Sequence, residues 1–164
     1  MNDLDTPLAA ALNEARLALI AESYQRLTGK PLLEPVPDDP YELALALWNA
    51  PHAIVAHGTE ADPIFFYGNR LALQLFGMSF DEFTRLPSRL SAEPLAQEAR
   101  VTLLKKVARQ GFVEGYSGVR IAKSGRRFMI SGATVWNLVD AQQKCHGQAA
   151  TFADWQMLLT RKIQ

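Results

Sequence analysis

The segment at residues 63–83 restricts the fold of this chain more than any other part. It opens with the apolar run Ile-Phe-Phe-Tyr, which is typical of a short strand and stops at Gly68 and Asn69. The following run, Arg-Leu-Ala-Leu-Gln-Leu-Phe, predicts a short helix that Gly77 closes. The chain therefore turns from a strand directly into a short helix.

A second short helix begins after Ser79. The serine side chain can accept a hydrogen bond from the backbone N–H three residues on, and Glu82 at that position can reach back to the serine N–H. This capping box fixes the start of the helix. Residues 63–83 therefore predict a strand followed by two short helices.

A helix and a stiff connector are predicted at the N-terminal end. Apolar residues recur at helical spacing over residues 8–27, and Gly29 follows where such a helix would end. Residues 30–40 contain four prolines, which favour an extended connector. Asp39 and Pro40 are the residue types that begin the next helix.

Two arrangements of the N-terminal helix are open from the sequence. Its broad apolar face fits a helix that packs on its own domain, or one that forms a dimer contact through Leu12, Leu19 and Ile20. We expect residues 4–27 to be a separate helix outside the core, and a homodimer formed through it. The predicted division places the helix and connector in residues 1–37 and the folded domain in residues 38–164.

The last third of the chain is rich in strands. Apolar and uncharged runs predict strands at residues 52–57, 64–67, 115–122, 127–140 and 147–152, with a helix at residues 95–110. Ser124 and Gly125 are typical of a hairpin turn. The predicted fold class is α+β: a five-stranded antiparallel sheet with helices on one face and an extra N-terminal helix.

Periodicity also predicts which side chains face the core. On the helix at residues 95–110 the side chains expected to point inward are Ala99, Leu103, Val107 and Ala108, and those expected to point outward are Arg100, Lys105, Lys106 and Arg109. The strand at residues 127–140 has a long uncharged run, which indicates that both of its faces are covered. Strict alternation places four of its side chains on one face: Phe128, Ile130, Thr134 and Trp136.

The composition argues against several classes of function. Seventeen basic and seventeen acidic residues cancel, so no basic excess favours nucleic acid or an anionic membrane. The single cysteine, Cys145, excludes an internal disulfide and a multi-cysteine metal site. No apolar run is long enough for a signal peptide or a membrane span, and we expect a soluble, cytoplasmic protein.

Catalytic and metal-binding candidates are few. His52 and His57 lie at the two ends of one short strand, where alternation points them to opposite faces, so they cannot share a metal. Cys145 and His146 lie in a predicted loop and would need further ligands from elsewhere. The residues favour a non-catalytic protein. The alternative is a small α+β enzyme in which buried polar residues of a pocket act as acid and base.

Aromatic side chains and a methionine on one face of a small sheet can form a ligand pocket or an ordinary filled core. Polar side chains among them would favour the pocket. On this basis the candidate ligand-binding residues are Phe66, Asn69, Met78, Phe83, Tyr116, Ile130, Thr134, Trp136 and Phe152. A small organic ligand is the expected occupant, and the sequence identifies no cofactor.

Five blocks of the sequence carry a family resemblance. They are residues 66–77 (Phe-Tyr-Gly-Asn-Arg-Leu-Ala-Leu-Gln-Leu-Phe-Gly), 116–121 (Tyr-Ser-Gly-Val-Arg-Ile), 124–128 (Ser-Gly-Arg-Arg-Phe), 135–138 (Val-Trp-Asn-Leu) and 147–152 (Gly-Gln-Ala-Ala-Thr-Phe). In this order they resemble the MEKHLA domain family, although the string Met-Glu-Lys-His-Leu-Ala itself is absent. The resemblance implies a PAS-like fold and a sensory or protein-interaction role in signalling, with no established reaction.

Members of this family occur alone in bacteria and at the C-terminus of plant homeodomain–leucine-zipper transcription factors. Because no homeodomain or zipper is present in this sequence, the resemblance implies the stand-alone bacterial type.

Some PAS relatives hold a flavin and form a light-induced adduct with a cysteine in an Asn-Cys-Arg-type motif. Here Asn69 is followed directly by Arg70, and Cys145 lies in a late loop. Haem would need a histidine on a helix that lines the pocket, where none is predicted. The resemblance therefore assigns neither group.

Overall fold

An antiparallel β-sheet forms the centre of the structure, a computed structural model that describes residues 5–159 without the side chains of residues 5–7 and 94–96. Its strands are β1 (Ala53–His57), β2 (Phe65–Gly68), β3 (Phe112–Ile121), β4 (Arg127–Val139), β5 (Cys145–Phe152) and β6 (Asp154–Met157). Their order across the sheet is β2-β1-β5-β4-β3, and β6 pairs with the first part of β4. The predicted antiparallel α+β arrangement is confirmed.

The helices lie on both faces of this sheet. They are α1 (Asp5–Leu12), α2 (Leu17–Thr28), α3 (Pro40–Trp48), α4 (Arg70–Phe76), α5 (Phe80–Phe83) and α6 (Pro94–Gln110), with a 3₁₀ turn at Ser88–Ser91. We call the face toward α4 and α6 the inner face and the face toward α2 the outer face. Within the described part of the chain, no helix combines the length and the apolar character needed to cross a membrane.

The predicted start and end signals of the helices are confirmed. Ser79 and Glu82 form both hydrogen bonds of the capping box at α5. Gly77 ends α4 with φ +66°, a left-handed conformation that glycine adopts without a Cβ clash. Asp39 accepts a hydrogen bond from the Glu42 N–H at the start of α3. These signals depend only on neighbours in the sequence, which is why the sequence reveals them.

The sixth strand, β6, corrects the prediction of five strands. Strand β5 pairs with residues 134–139 of β4, and β6 then pairs with residues 128–131 of the same strand. Of the four residues Asp-Trp-Gln-Met in β6, only Trp155 is of a type enriched in strands, so propensity alone does not predict this strand. Pairing with the long β4 decides its conformation.

A bulge interrupts β4 near Gly132. In the β3–β4 ladder Tyr116 lies opposite Ala133 and Gly118 opposite Ile130, so β3 advances by two residues while β4 advances by three. Gly132 has φ +64°, which suits a glycine at a bulge. The extra residue moves every later side chain of β4 to the opposite face.

The bulge overturns the expected alternation along β4. Before it, Phe128 packs against α4 and Ile130 lines a cavity on the inner face. After it, Val135 lines the same cavity, while Trp136 contacts α2 on the outer face. Thr134 alternates with Val135 and therefore lies on the outer face as well.

Helix α2 covers the outer face of the sheet. The Nε1–H of Trp136 donates to Ser23 Oγ at 3.1 Å, and the Tyr24 ring lies edge-on to the indole with a centroid distance of 4.9 Å. Ile20 is fully buried in the same core. The expectation of an N-terminal helix outside the core is therefore wrong, because its apolar side covers the uncharged outer face of β4. The expectation that both faces of β4 are covered is confirmed.

The N-terminal segment also contains two helices where one was expected. The break lies between α1 and α2, where the Arg16 side chain forms an ion pair with Glu14 at 2.7 Å. Residue 4, the expected start, lies outside the described residues. The division of the chain between residues 37 and 38 stays a prediction.

Candidate ligand site

A cavity of about 50 Å³ lies between the inner face of the sheet and helices α4 and α6. The space exists because three small side chains, Val55, Ala150 and Val135, lie next to one another. Val55 and Val135 both pair with Ala150, so the three form one row across β1, β5 and β4. Larger apolar residues complete the wall: Phe65, Phe76, Leu103, Ile130 and Phe152.

The predicted inward side of helix α6 is confirmed for Leu103 and Val107 but not for Ala99 and Ala108. Leu103 and Val107 are buried, whereas Ala99 and Ala108 are exposed and Arg100 is only 8% exposed. Arg100, Leu103 and Val107 are three and four residues apart and form a regular helical stripe. The expectation of an outward Arg100 is wrong. Arginines are mostly exposed in proteins, but this one lies on the buried stripe of the helix.

The 3₁₀ turn holds the Arg100 guanidinium in the cavity wall. Arg100 Nη2 donates to Ser88 Oγ at 2.7 Å. Ser88 is itself fixed, because its N–H donates to Pro63 O at 2.8 Å and its carbonyl accepts from Ser91 Oγ at 2.7 Å. Burial, and then the charge of Arg120, lower the pKa of Arg100 to about 10. The guanidinium therefore remains charged at neutral pH.

A second buried arginine, Arg120, reaches the same cavity from β3. Its Nη1 donates to Val119 O at 2.9 Å, and its Nη2 donates to Tyr116 Oη at 3.4 Å. A Cβ atom at Gly118 would lie 2.4 Å from Tyr116 Oη. The glycine thus lets the tyrosine side chain lie along the strand toward Arg120.

His57 adds a buried acceptor to the cavity wall. Its Nδ1 lies 3.0 Å from Gly58 O, a geometry that places the ring hydrogen on Nδ1, where it donates to that carbonyl. Nε2 is buried and has no hydrogen-bond partner among the described residues. Burial, reinforced by the charge of Arg100, lowers the pKa of His57, while the Gly58 carbonyl and Glu60 raise it. The imidazole is therefore neutral at neutral pH.

Two amides tie α6 to the inner face of the sheet. Asn137 Nδ2 donates to Val107 O at 3.0 Å, and Gln148 Nε2 donates to both Leu104 O and Asn137 Oδ1 at 3.1 Å. These bonds fix the side of the cavity that α6 forms.

Three of the nine predicted site residues line this cavity: Tyr116, Ile130 and Phe152. The structure places the other six elsewhere. Thr134 and Trp136 lie on the outer face because of the bulge in β4. Phe83 is fully buried and stacks on Phe65 at a centroid distance of 4.2 Å.

Phe66 and Met78 also lie away from the cavity. The Arg16 guanidinium stands 3.7 Å from the centroid of the Phe66 ring. Met78 is half-buried beyond the end of α4 and packs against the core.

Asn69 has a structural position that uses all its hydrogen-bonding groups. Its Oδ1 accepts from Ile54 N and Ala72 N, both at 3.1 Å. Its Nδ2 donates to Leu47 O at 3.1 Å and His52 O at 2.9 Å. An amide offers two donor hydrogens and one acceptor oxygen with two lone pairs, so none is left for a ligand.

The sequence interpretation missed Arg100, Arg120 and His57 as cavity residues. Arg120 carried a signal, because alternation from Tyr116 through Gly118 places it on the same face of β3. For Arg100 the helical spacing from Leu103 and Val107 indicated a buried position, but its charge favoured an exposed one.

No group of three or more metal-ligating side chains occurs among the described residues. His146 Nε2 lies 2.9 Å from Asp140 Oδ2, and Cys145 is exposed with its Sγ 3.4 Å from Gly147 O. Both residues lie at the start of β5, in local contacts of that region.

Comparison with known proteins identifies the family. The model of the MEKHLA domain matches residues 14–157, which contain every element from α2 to β6. The chain belongs to the MEKHLA domain family. The predicted resemblance is confirmed over a longer stretch than the sequence blocks covered.

Curated relatives of this MEKHLA domain are plant homeobox-leucine zipper proteins. HOX10 of Oryza sativa subsp. indica is 27% identical over 137 residues, which are 83% of this chain and 16% of that protein. ATHB-15 of Arabidopsis thaliana is 20% identical over 152 residues, 93% of this chain and 18% of that protein. The chain thus spans less than a fifth of the length of these relatives.

Solved structures show that the MEKHLA domain here has a PAS-like fold. The PAS domain of a protein from Colwellia psychrerythraea superposes with a TM-score of 0.59 at 18% identity, covering 71% of this chain and 94% of that one. A light-oxygen-voltage domain studied with a flavin analogue superposes with a TM-score of 0.56 at 18% identity, covering 73% of this chain and 86% of that one. The predicted fold class is confirmed.

Proposed function

We propose that this MEKHLA domain is a non-catalytic sensory or protein-interaction module whose inner cavity binds a small organic ligand. The observation that carries the proposal is the convergence of three buried polar side chains, His57, Arg100 and Arg120, on a mostly apolar cavity. Ligand sites combine apolar walls with a few polar groups that orient the ligand. Two buried charges would not stabilise an ordinary filled core, because burying an unpaired charge costs free energy.

Mass spectrometry of the denatured protein tests this proposal. The full chain is purified, denatured and extracted, and a small molecule should be released in stoichiometric amount. Leu103→Trp should abolish the release by filling the cavity, at a stability cost of roughly 1–3 kcal/mol. Val101→Trp changes an exposed residue of the same helix and should leave the release unchanged. Equal release from both variants would contradict the proposed site.

A small α+β enzyme is the second candidate, and His57 is the observation that favours it. Its neutral imidazole has an unpartnered Nε2 at the cavity, as a general base would. The cavity wall has no carboxylate among the described residues to serve as its partner. Turnover of any substrate that is lost in His57→Gln and kept in His52→Gln would replace the sensory proposal with the enzyme.

The residues do not fit a flavin that forms a cysteine adduct. The only cysteine of the chain, Cys145, is exposed at the start of β5, away from the residues that line the cavity. The cavity of about 50 Å³ is also far smaller than the ~300 Å³ at the lower end of typical cofactor sites. We therefore propose no photochemistry for this domain.

We also propose self-association through the N-terminal helix. Ile20 packs in the core of its own chain, so a dimer would have to use the exposed side of α2. A truncated chain without residues 1–37 would expose Trp136, which makes it an unsuitable control. Sedimentation of wild type beside Ala18→Glu, an exposed position on α2, tests the dimer. A monomeric wild type would refute it.

The proposed cytoplasmic location rests on the composition alone and stays a prediction.

A further inference from the structure

We propose that the cavity selects small organic monocarboxylates and holds the carboxylate between Arg100 and Arg120. This inference rests on the proposed function, since it names the class of ligand that the same cavity takes.

The cavity wall contains two positive charges that no carboxylate of the described residues pairs with. Arg100 is 8% and Arg120 is 9% exposed, and both line the same cavity. Among the described side chains, no carboxylate oxygen lies within 4.0 Å of either guanidinium. Two buried like charges are unfavourable unless an anion accompanies them. A bound anion in the cavity would supply the missing negative charge.

Hydrogen bonds within the protein position both guanidinium groups. Ser88 holds Arg100 from one side, while Val119 O and Tyr116 Oη hold Arg120 from the other. Each guanidinium has five N–H donors, and these contacts use only one or two of them. Planar guanidinium groups bind carboxylates with two parallel hydrogen bonds, which gives both strength and orientation.

The unpartnered Nε2 of His57 supports the same assignment. It is buried and lines the cavity together with the two arginines. A bound carboxylate would favour protonation of this nitrogen, which would then donate a third hydrogen bond to the anion. In the empty cavity the charge of Arg100 opposes that protonation and the carboxylate of Glu60 favours it. Ser91, Tyr116 and Gln148 are the other polar side chains of the cavity wall.

Size and wall chemistry narrow the ligand further. The cavity of about 50 Å³ admits only a small molecule. The apolar wall from Phe76, Ile130 and Phe152 suits a short hydrocarbon chain and not a second charge. Acetate, propionate and butyrate are the probes of this class.

Calorimetric titration of the full chain tests the inference. Propionate should bind with a saturable isotherm, while propionamide, which has the same shape without the charge, should not. Arg100→Met and Arg120→Met should each weaken propionate binding about ten- to a hundredfold, the value of one or two charge-assisted hydrogen bonds. Arg109→Met makes the same change at an exposed site on α6 and should bind like wild type.

Thermal unfolding distinguishes ligand binding from a structural role. Without ligand, Arg100→Met should unfold at the same or a higher temperature than wild type, because it removes one of two buried like charges. A structural arginine would give a lower temperature and unchanged propionate binding, which would overturn the inference. If Arg100→Met does not fold, Arg120→Met and the charge-preserving Arg100→Lys carry the test, and both should weaken binding.

The remaining outcomes separate this inference from the proposed function. Saturable binding of propionamide, or release of an uncharged compound from the denatured protein, would overturn the carboxylate while leaving a ligand cavity. Equal binding of chloride and propionate would overturn the selection of organic acids. No binding of any probe together with no released compound would overturn both.

Discussion

The contact between Ser23 and Trp136 gives a sharp test of how the N-terminal helix is held. Both residues are fully buried, and the only partner of the indole N–H is the Ser23 hydroxyl at 3.1 Å among the described residues. Ser23→Ala removes the acceptor and leaves a donor buried in an apolar interface. The change leaves the contacts of Ile20 and Tyr24 in place.

The expected cost follows from two opposing effects. A buried donor without a partner costs about 1–3 kcal/mol. Alanine is a better helix former than serine by ~0.5 kcal/mol, which offsets part of that cost. The Ser23 hydroxyl also donates to Leu19 O at 2.6 Å, but that carbonyl belongs to the helix interior and keeps its backbone partner. We expect a net loss of about 1–2 kcal/mol in the free energy of unfolding.

Urea denaturation followed by circular dichroism measures this loss. For a domain of this size, 1 kcal/mol corresponds to about 2–4 °C in melting temperature, so a thermal scan gives an independent check. Thr102→Ala is the control, because it removes a hydroxyl that donates to Glu98 O at 3.2 Å on an exposed helix face. It should change the unfolding free energy by less than about 0.5 kcal/mol.

A double-mutant cycle with Trp136→Phe isolates the hydrogen bond. In the Trp136→Phe background no indole N–H remains, so Ser23→Ala should cost close to nothing, and the coupling energy should be about 1–2 kcal/mol. If Ser23→Ala is equally costly in both backgrounds, the serine acts through packing and the hydrogen bond does not hold α2 on the sheet.

Three further predictions address the strands around the cavity. Gly147→Ala should cost about 4 kcal/mol or more in urea denaturation, because its Cβ would lie 1.9 Å from His57 O at φ +133°; Gly125→Ala, with open space around it, should cost ~1 kcal/mol. The pKa of His57 is lowered by burial, so below pH 6.5 the unfolded chain binds a proton that the folded chain does not. The free energy of unfolding of the wild type should therefore fall from pH 7.5 to 5.5, and that of His57→Gln should fall less. If it falls equally in both proteins, His52, whose pKa is also lowered by burial, is the cause. Asn69→Ala should cost about 3–5 kcal/mol, because it removes four hydrogen bonds and takes from the buried N–H groups of Ile54 and Ala72 the acceptor they share; a loss below ~1 kcal/mol in urea denaturation would show that water replaces the amide.

Interactions between near neighbours in the sequence were predictable. Ser79 with Glu82, Asp39 with Pro40, and Gly77 at the end of α4 all act over one turn of helix. Their residue types therefore fix the local structure whatever the rest of the chain does. The order of the elements and the fold class followed from these signals and from the apolar runs between them.

The site depended on contacts that join distant parts of the chain. One extra residue near Gly132 decides that Trp136 faces α2 while Val135 faces the cavity, and only the ladder with β3 reveals it. Asn69 has the residue type of a ligand contact, but four backbone groups from three separate segments occupy it.

The sequence by itself determined the family, the capping signals of α3, α4 and α5 and the antiparallel α+β fold, because each rests on local patterns. Tertiary structure alone decided which side chains meet at the cavity. Arg100 comes from α6 and Arg120 from β3, and the fixed Ser88 on the 3₁₀ turn brings the first of them inward. The physical reason is that the free energy of burying a charge depends on the groups around it, and those groups are assembled only when the chain folds.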